Sequence, residues 1–441
     1  MTSGQTAAEL ARVRADFPLL ARTVRDGRPL VYLDSGATSQ KPTVVLDAER
    51  EFYERHNAAV HRGAHQLAEE ATEAFEGARE TVARFLGADA GEVVFTKNGT
   101  EGLNLLAYGF SNASAPGALA GADEAWAQRL RLGPGDEIVV TEMEHHANLV
   151  PWQELCRRTG ASLRWIGVTD EGYLTDPAEV IGERTKVVAL THVSNVLGTL
   201  NDLSPQSPVI TAARAAGALV IVDACQSAPH LDITHLTAAD SGVDALVFTG
   251  HKTLGPSGVG VLWARRGLLE ALPPFLTGGS MIEIVRMEGS TWAPPPAKFE
   301  AGVPMAAQAV GLAAALEYLM DLGLDRAHAH DQELARHTLE LLEQRPWVRV
   351  LGPGLDALAD RVGCVAFVVD GAHPHDVGQV LDDSGIAVRT GHHCAWPLHR
   401  RLRVPASTRA SFAIYTTHEE IDAFATALDR VPQIFGLGES A

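Results

Sequence analysis

"DALVFTGHKTLGPSG" (Asp244–Gly258) is an apolar run of strand length that ends abruptly in Gly-His-Lys and then a Gly/Pro-rich turn. A lysine on a solvated face needs no such setting. At the mouth of a buried strand it loses hydration, its pKa falls and its amine becomes nucleophilic. Working outward, the apolar runs 92–95 (EVVF), 137–140 (EIVV), 186–190 (KVVAL), 218–224 (ALVIVDA) and 258–264 (GVGVLWA) repeat the pattern, with helical or loop segments between most of them. Strands that are apolar throughout are buried on both faces. The alternation therefore predicts an α/β fold with a mostly parallel sheet. In such sheets, ligands collect at the carboxyl ends of the strands.

The chain has 441 residues, 46% hydrophobic and 21% charged, enough for two or three domains. We expect an N-terminal segment (1–30) packing on the smaller domain, a large domain (31–305) and a smaller C-terminal α/β domain (306–441). Residues 66–86 show helical periodicity. The formal charge of -19, with no basic block, argues against nucleic acid or an anionic membrane as partner. The N-terminus lacks a signal-peptide core, and no run approaches the about 20 apolar residues of a membrane span, so a soluble cytoplasmic protein is expected. Four scattered cysteines (Cys156, Cys225, Cys364, Cys394) without a CxxC support neither a disulfide framework nor a structural metal site.

The expected strand ends carry unusual polar groups. Gly99-Thr100 opens a helix after a strand, where N–H groups and a hydroxyl can cradle a phosphate; "NGT" is equally an ordinary turn and cap. Asp223 can pair with a protonated ring nitrogen, or simply cap its strand. Lys252 can form a Schiff base, or snorkel to solvent. His145 can stack on a planar ring, or be a satisfied structural histidine. Thr191–Asn195, Gln226, Thr249 and His251 crowd the same ends. Taken together, a phosphate site, an acid for a pyridinium nitrogen, an aromatic stacker and a Schiff-base lysine match the requirements of pyridoxal 5'-phosphate.

A second dense stretch is "VRTGHHCAWPLHRR" (Val388–Arg401). Arg389 suits bidentate grip of a carboxylate. Cys394 lies in a Gly/His-rich loop, where His392 and His393, as cationic or hydrogen-bonding neighbours, are expected to favour its thiolate. A metal bound by His392, His393 and Cys394 is disfavoured, because adjacent residues converge poorly on one ion. Cys225 is read as filling space beside the cofactor, Cys156 and Cys364 as core.

The segments "YLDSGATSQKP", "VHRGAHQLAEEAT", "FTKNGTEGLNL", "EMEHHANLVPWQ", "HVSNVLGT", "VDACQSAPH", "FTGHK", "PPFLTGGSMI", "FEAGVP", "RTGHHCAWP" and "TRASFAIY" occur in order between about residues 16 and 435. Together they resemble the SufS-type (group II) cysteine desulfurases of the class V aminotransferase superfamily, with pyridoxal-phosphate fold type I. The resemblance implies that Lys252 carries the cofactor and Asp223 meets its ring nitrogen. Gln226 would meet the ring hydroxyl and His145 would stack on the ring. Thr100, Thr249 and His251 would hold the phosphate. Asn195 and Arg389 would orient the substrate, Arg409 would support that site, and Cys394 would accept sulfur.

It further implies L-cysteine as substrate, a homodimer, and a sulfur-acceptor protein or scaffold as partner, as in iron–sulfur cluster assembly. Departures from the family pattern are Ser35 and Gly36, expected to loosen or reshape the substrate loop, Val303, and Cys225. His373 and His375 in "HPHDV" are candidate partner-facing residues. Rival readings are a selenocysteine lyase, another class V lyase or epimerase, and a non-enzymatic iron–sulfur scaffold.

Overall fold

In a computed structural model, which describes residues 7–119 and 123–437, the apolar runs assemble into one seven-stranded sheet. Its strands are β1 (Val93–Thr96), β2 (Glu137–Thr141), β3 (Ser162–Ile166), β4 (Thr185–Thr191), β5 (Leu219–Asp223), β6 (Ala245–Thr249) and β7 (Gly260–Ala264). Their order is β1-β7-β6-β5-β4-β2-β3. Only β7 runs antiparallel to its neighbours.

Alternate residues of one strand enter opposite cores. Ile138 and Val140 of β2 face one cluster and Val139 the other. That two-sided burial is why the strands read as continuous apolar runs. The first core lies beneath α1 (Thr43–Glu51) and α2 (Gln66–Leu86), the second beneath α3 (Gly99–Ala113) and α4 (Val150–Thr159). Strand β3 was not legible in the sequence. It forms the sheet edge, and Ser162, Arg164 and Trp165 are exposed, so its pattern carries little apolar signal.

A second sheet is wholly antiparallel. It comprises β8 (Val348–Leu351), β9 (Cys364–Val369), β10 (Arg389–Gly391) and β11 (Ser407–Ser411), in the order β8-β9-β11-β10. The helix expected to open the C-terminal domain, α5 (Ala306–Leu322), instead packs on α1 and α2 and contributes Ala309, Leu312 and Leu316 to the first core. Its small side chains permit that close approach. The next helix, α6 (Leu324–Glu343), bridges the two units, with Ala327 in the first core and Leu334, Leu339 and Leu342 in the core of the small sheet. By packing, the division therefore falls within α6 rather than at residue 306. The described part of the N-terminal segment touches both units. Arg14 pairs with Glu420 at 2.8 Å, and the Phe17 ring lies 4.7 Å from Tyr415 and 6.0 Å from Tyr318 of α5.

The units are joined through Arg361, which is fully buried. Its guanidinium donates to Leu197 O (2.8 Å) from the large unit and to Leu351 O (2.7 Å), Pro353 O (2.7 Å) and Cys364 O (2.9 Å) from the small one. Burial lowers its pKa to about 10, which leaves it charged at neutral pH. Arg361→Met keeps most of the volume but strands four carbonyls. It is expected to destabilise the fold by ~3–5 kcal/mol. A urea midpoint unchanged from wild type would contradict this.

Candidate active site

The polar strand ends converge. Asp223 is the last residue of β5, Thr249 of β6 and Thr191 of β4. The chain leaves β6 through a tight turn, Gly250–Lys252. A Cβ on Gly250 would lie 2.8 Å from Val259 and 3.0 Å from the Pro256 carbonyl, so only glycine lets the turn fold back and aim Lys252 across the sheet end. Gly36, Gly99, Thr100, His145, Asn195, Asp223, Gln226, Thr249, His251, Lys252, Arg389, Cys394 and Arg409 line one cavity of about 190 Å³. The residues expected to hold the cofactor and substrate, with Lys252 and Cys394, therefore line one cavity, whereas His392, His373 and His375 do not line it.

Burial lowers the pKa of Lys252, against the opposing pull of Cys225 and Asp223. His145 Nδ1 accepts the Ala147 N–H at 3.0 Å, which leaves the proton of the neutral ring on Nε2. Burial and the nearby Lys252 depress its pKa to about 4, so the ring is uncharged at neutral pH. His251 is likewise held at about 4 by burial.

Helix α3 starts at Gly99, capped by Asn98 Oδ1 on the Glu101 N–H at 2.9 Å. Gly99 and Thr100 line the cavity, so the helix begins there with first-turn N–H groups that have no intrahelical acceptor. A Cβ on Gly99 would sit 2.7 Å from Cys225 Sγ. Thr249 Oγ1 is buried with no hydrogen-bond partner. A hydroxyl orphaned beside a helix N-terminus fits a phosphate oxygen.

Opposite this end lie two arginines on paired strands. Arg389 and Arg409 are register partners of β10 and β11. Arg409 is buried and donates to Asn195 O at 2.6 Å and to Asp34 at 3.3 Å; its Nε has no partner. Arg389 lies 4.0 Å from the same Asp34 carboxylate. Two guanidinium groups against one carboxylate leave room for a second carboxylate. Asp34 was overlooked in the sequence, although "YLDSGATSQKP" contains it; nothing local showed that two distant arginines converge there. Asn195 Nδ2 donates to His393 O at 2.6 Å, and Gln226 Nε2 to Gly36 O at 2.9 Å.

The 35–36 loop, expected to be loosened or reshaped, is tied down by two hydrogen bonds. Ser35 is buried with its Oγ 2.9 Å from Tyr415 Oη, and the Gly36 N–H donates to Ser411 Oγ at 2.8 Å.

Cys394 is exposed at the cavity mouth, while Cys156 and Cys364 are buried. It sits in a strained loop: His393 and Cys394 both have positive φ, 48° and 57°. The loop is pinned by the His146 N–H on Cys394 O (2.7 Å) and by the Trp396 N–H on His146 Nε2 (3.1 Å). Of the two ways in which His393 was expected to favour the thiolate, as a cation or by hydrogen bonding, the cationic one is corrected. Its ring is buried against Ser407 Oγ at 3.0 Å, and burial beside Arg409 drives its pKa to about 2. His392 instead leans on Trp396, with ring centroids 4.7 Å apart. Among the described residues, no group of three or more His, Cys, Asp or Glu is placed to hold a metal ion. His375 Nδ1 lies 3.1 Å from Thr390 Oγ1, next to Arg389, and Val303 is 91% exposed.

Fold and site together place the start of a helix and a desolvated lysine at one cavity over the strand ends of an α/β sheet. A profile of the aminotransferase class-V family matches residues 31–424, and the chain belongs to that family. It is 52% identical over 438 residues to a probable cysteine desulfurase of Mycobacterium leprae, covering 99% of this chain and 100% of the relative. Among solved structures, an apo cysteine desulfurase from Thermococcus onnurineus superposes with a TM-score of 0.86 at 37% identity, covering 98% of this chain and 100% of that one. A cysteine desulfurase of Escherichia coli carrying an S-sulfonic acid gives 0.82 at 37% identity, covering 97% and 99%.

Proposed function

We propose that the protein is a pyridoxal-phosphate-dependent cysteine desulfurase that converts L-cysteine to L-alanine and stores the sulfur as a persulfide on Cys394. The observation that carries this reading is the placement of an exposed cysteine across one cavity from a desolvated lysine and two carboxylate-seeking arginines. Bound pyridoxal phosphate supplies an aldehyde for amine condensation and a ring that takes up an electron pair.

The chain's own groups do the rest. With the cofactor bound, Gly99, Thr100, Thr249 and His251 would hold its phosphate, Asp223 would keep a proton on its ring nitrogen, Gln226 would serve its ring hydroxyl, and neutral His145 would pack on its ring. Arg389 grips the substrate carboxylate, while Arg409 and Asn195 set its orientation. Lys252, whose charged form burial disfavours, takes the α-proton as the free amine. The Cys394 thiolate then attacks the substrate sulfur. A sulfur–sulfur bond forms, the carbon–sulfur bond breaks, and its electron pair stays with the β-carbon that becomes the methyl group of alanine. Cysteine-dependent formation of alanine, with a 32-Da gain on the Cys394 peptide, tests the assignment; alanine without the mass gain would contradict it.

A homodimer is supported by apolar side chains left in solvent at 285–303, where Met287 is 99% exposed and Val285 62%. Turnover requires a thiol acceptor to discharge Cys394, and a sulfur-acceptor protein or scaffold would fill that role. Four free cysteines suit a reducing cytoplasm. Among the described residues no helix is long and apolar enough to cross a membrane.

The orphaned Thr249 hydroxyl yields a prediction with two opposite signs. Thr249→Val should stabilise the cofactor-free protein slightly, by removing a buried unsatisfied group. It should weaken cofactor binding by about tenfold, the worth of one hydrogen bond to a charged group. Thermal melts of the apo protein and a pyridoxal-phosphate titration followed by fluorescence measure the two effects; tighter cofactor binding would refute the role.

A further inference from the structure

Two residues beyond Cys394 begins a short helix, Trp396–Arg401, which forms one wall of a groove of about 420 Å³. The opposite wall is the edge strand β3, through Leu163 and Trp165; Val140 and Leu149 lie between them, and Pro397 and Arg400 complete the helix side. The groove is separate from the catalytic cavity and shares no lining residue with it. Its lining includes one large aromatic side chain in solvent, Trp165 at 55% exposure; Trp396, 49% exposed, opens the same helix and its ring lies against the lining residue Arg400. A chain that needed only to stay soluble would gain nothing from them. Aromatic residues with arginine over an apolar floor are the composition of a protein contact.

The charge of this rim opposes that of the molecule. On a chain of formal charge -19, the sequence "RRLR" places Arg400, Arg401 and Arg403 within four positions. Arg401 pairs with Asp170 at 2.6 Å. Arg400 lies over the Trp396 ring at 5.4 Å and, among the described residues, has no carboxylate partner. Glu142 also lines the groove, with its Oε2 accepting the Val168 N–H at 3.1 Å. Arg400 is thus the lining cation left without a carboxylate, and Arg403 follows two residues after the helix. A second copy of this chain, docked isologously, would bring the same basic patch against itself.

Resting on the desulfurase reading, we infer that this groove docks the acceptor that unloads Cys394, and that the docking element is an acidic, cysteine-bearing protein segment with an apolar side chain for the groove. The transfer is a thiol–persulfide exchange. The acceptor thiolate attacks the outer sulfur, a new sulfur–sulfur bond forms on the acceptor, and the bond to Cys394 breaks with its electron pair returning to the Cys394 thiolate. No external oxidant or reductant is consumed.

The test uses the holoenzyme, cysteine and three acceptors: a cysteine peptide flanked by Asp, Glu and Leu; the same peptide with Lys for each acid; and dithiothreitol. Wild type should persulfurate the acidic peptide at least tenfold faster than the basic one, a preference that raised salt erases. Arg400→Glu with Arg403→Glu should abolish or reverse the preference, and Trp165→Ala should slow the acidic peptide several-fold. All variants should form alanine with dithiothreitol at the wild-type rate, which shows that they are folded and competent. Equal peptide rates in wild type, or a preference that survives the charge reversal, would overturn the docking inference alone. Failure of wild type to form alanine with dithiothreitol would overturn the desulfurase reading and this one with it.

Discussion

Lys252→Ala abolishes alanine formation from cysteine, by on the order of 10³–10⁴-fold or more, and removes the visible absorption of lysine-bound cofactor. The turn that presents Lys252 is held by backbone, through Gly250 N–H on Val259 O at 3.0 Å and Gly255 N–H on Gly250 O at 2.9 Å. The side chain can therefore be removed without unfolding its support. Burial already disfavours its charge, so the cofactor-free variant should melt within a few degrees of wild type at neutral pH.

The sign with pH follows from linkage. A lysine whose folded-state pKa is lowered binds fewer protons when folded than when unfolded. Wild type should therefore gain stability relative to Lys252→Ala as pH rises from the lowered value toward the ordinary 10.5. Apo melts from pH 7 to 10 measure this gap; one that moves the other way would contradict a desolvated lysine. Retained turnover would remove Lys252 from the chemistry altogether.

Cys394→Ser separates desulfuration from its nearest rival. Cysteine's thiolate leaves carbon poorly, so the carbon–sulfur bond must be broken by attack on sulfur, which a serine hydroxyl does not perform. Selenium leaves more readily, because its bond to carbon is weaker and its anion more stable. The variant should lose desulfuration while keeping appreciable activity on selenocysteine. Its cofactor absorption should be that of wild type, because Cys394 sits at the mouth, with Lys252, Asp223 and Thr249 deeper at the strand ends. Substrate-induced spectral change should persist, since Arg389 and Asn195 remain. The serine inherits the left-handed backbone, so stability should change little. Alanine release from cysteine at the wild-type rate would exclude Cys394 and reopen the lyase and epimerase readings.

The departures from the family pattern illustrate how far local sequence reaches. Ser35 in place of the usual residue suggested a looser loop, yet its hydroxyl meets Tyr415 from 380 positions away and ties the two units together. His393 beside Cys394 suggested a cationic or hydrogen-bonding neighbour, yet the fold turns it inward, where desolvation keeps it neutral. Adjacency in sequence did not specify which way the ring faces.

The sequence by itself determined the two-sided sheet, because continuous apolar strands have no other stable setting. It also determined the set of residues at the strand ends, because lysine, aspartate and histidine at buried termini are costly unless used. What it left open depended on contacts between distant segments. Strand β3 was lost because an edge strand is only half buried. Helix α5 was placed with the wrong unit because small residues on every side carry no directional signal. Asp34 went unnoticed because its meaning lies in Arg389 and Arg409, which only the pairing of β10 with β11 sets side by side. The tertiary structure likewise decided that Cys394 faces outward beside a basic, aromatic groove, since the groove's second wall comes from a strand more than 200 residues earlier in the chain.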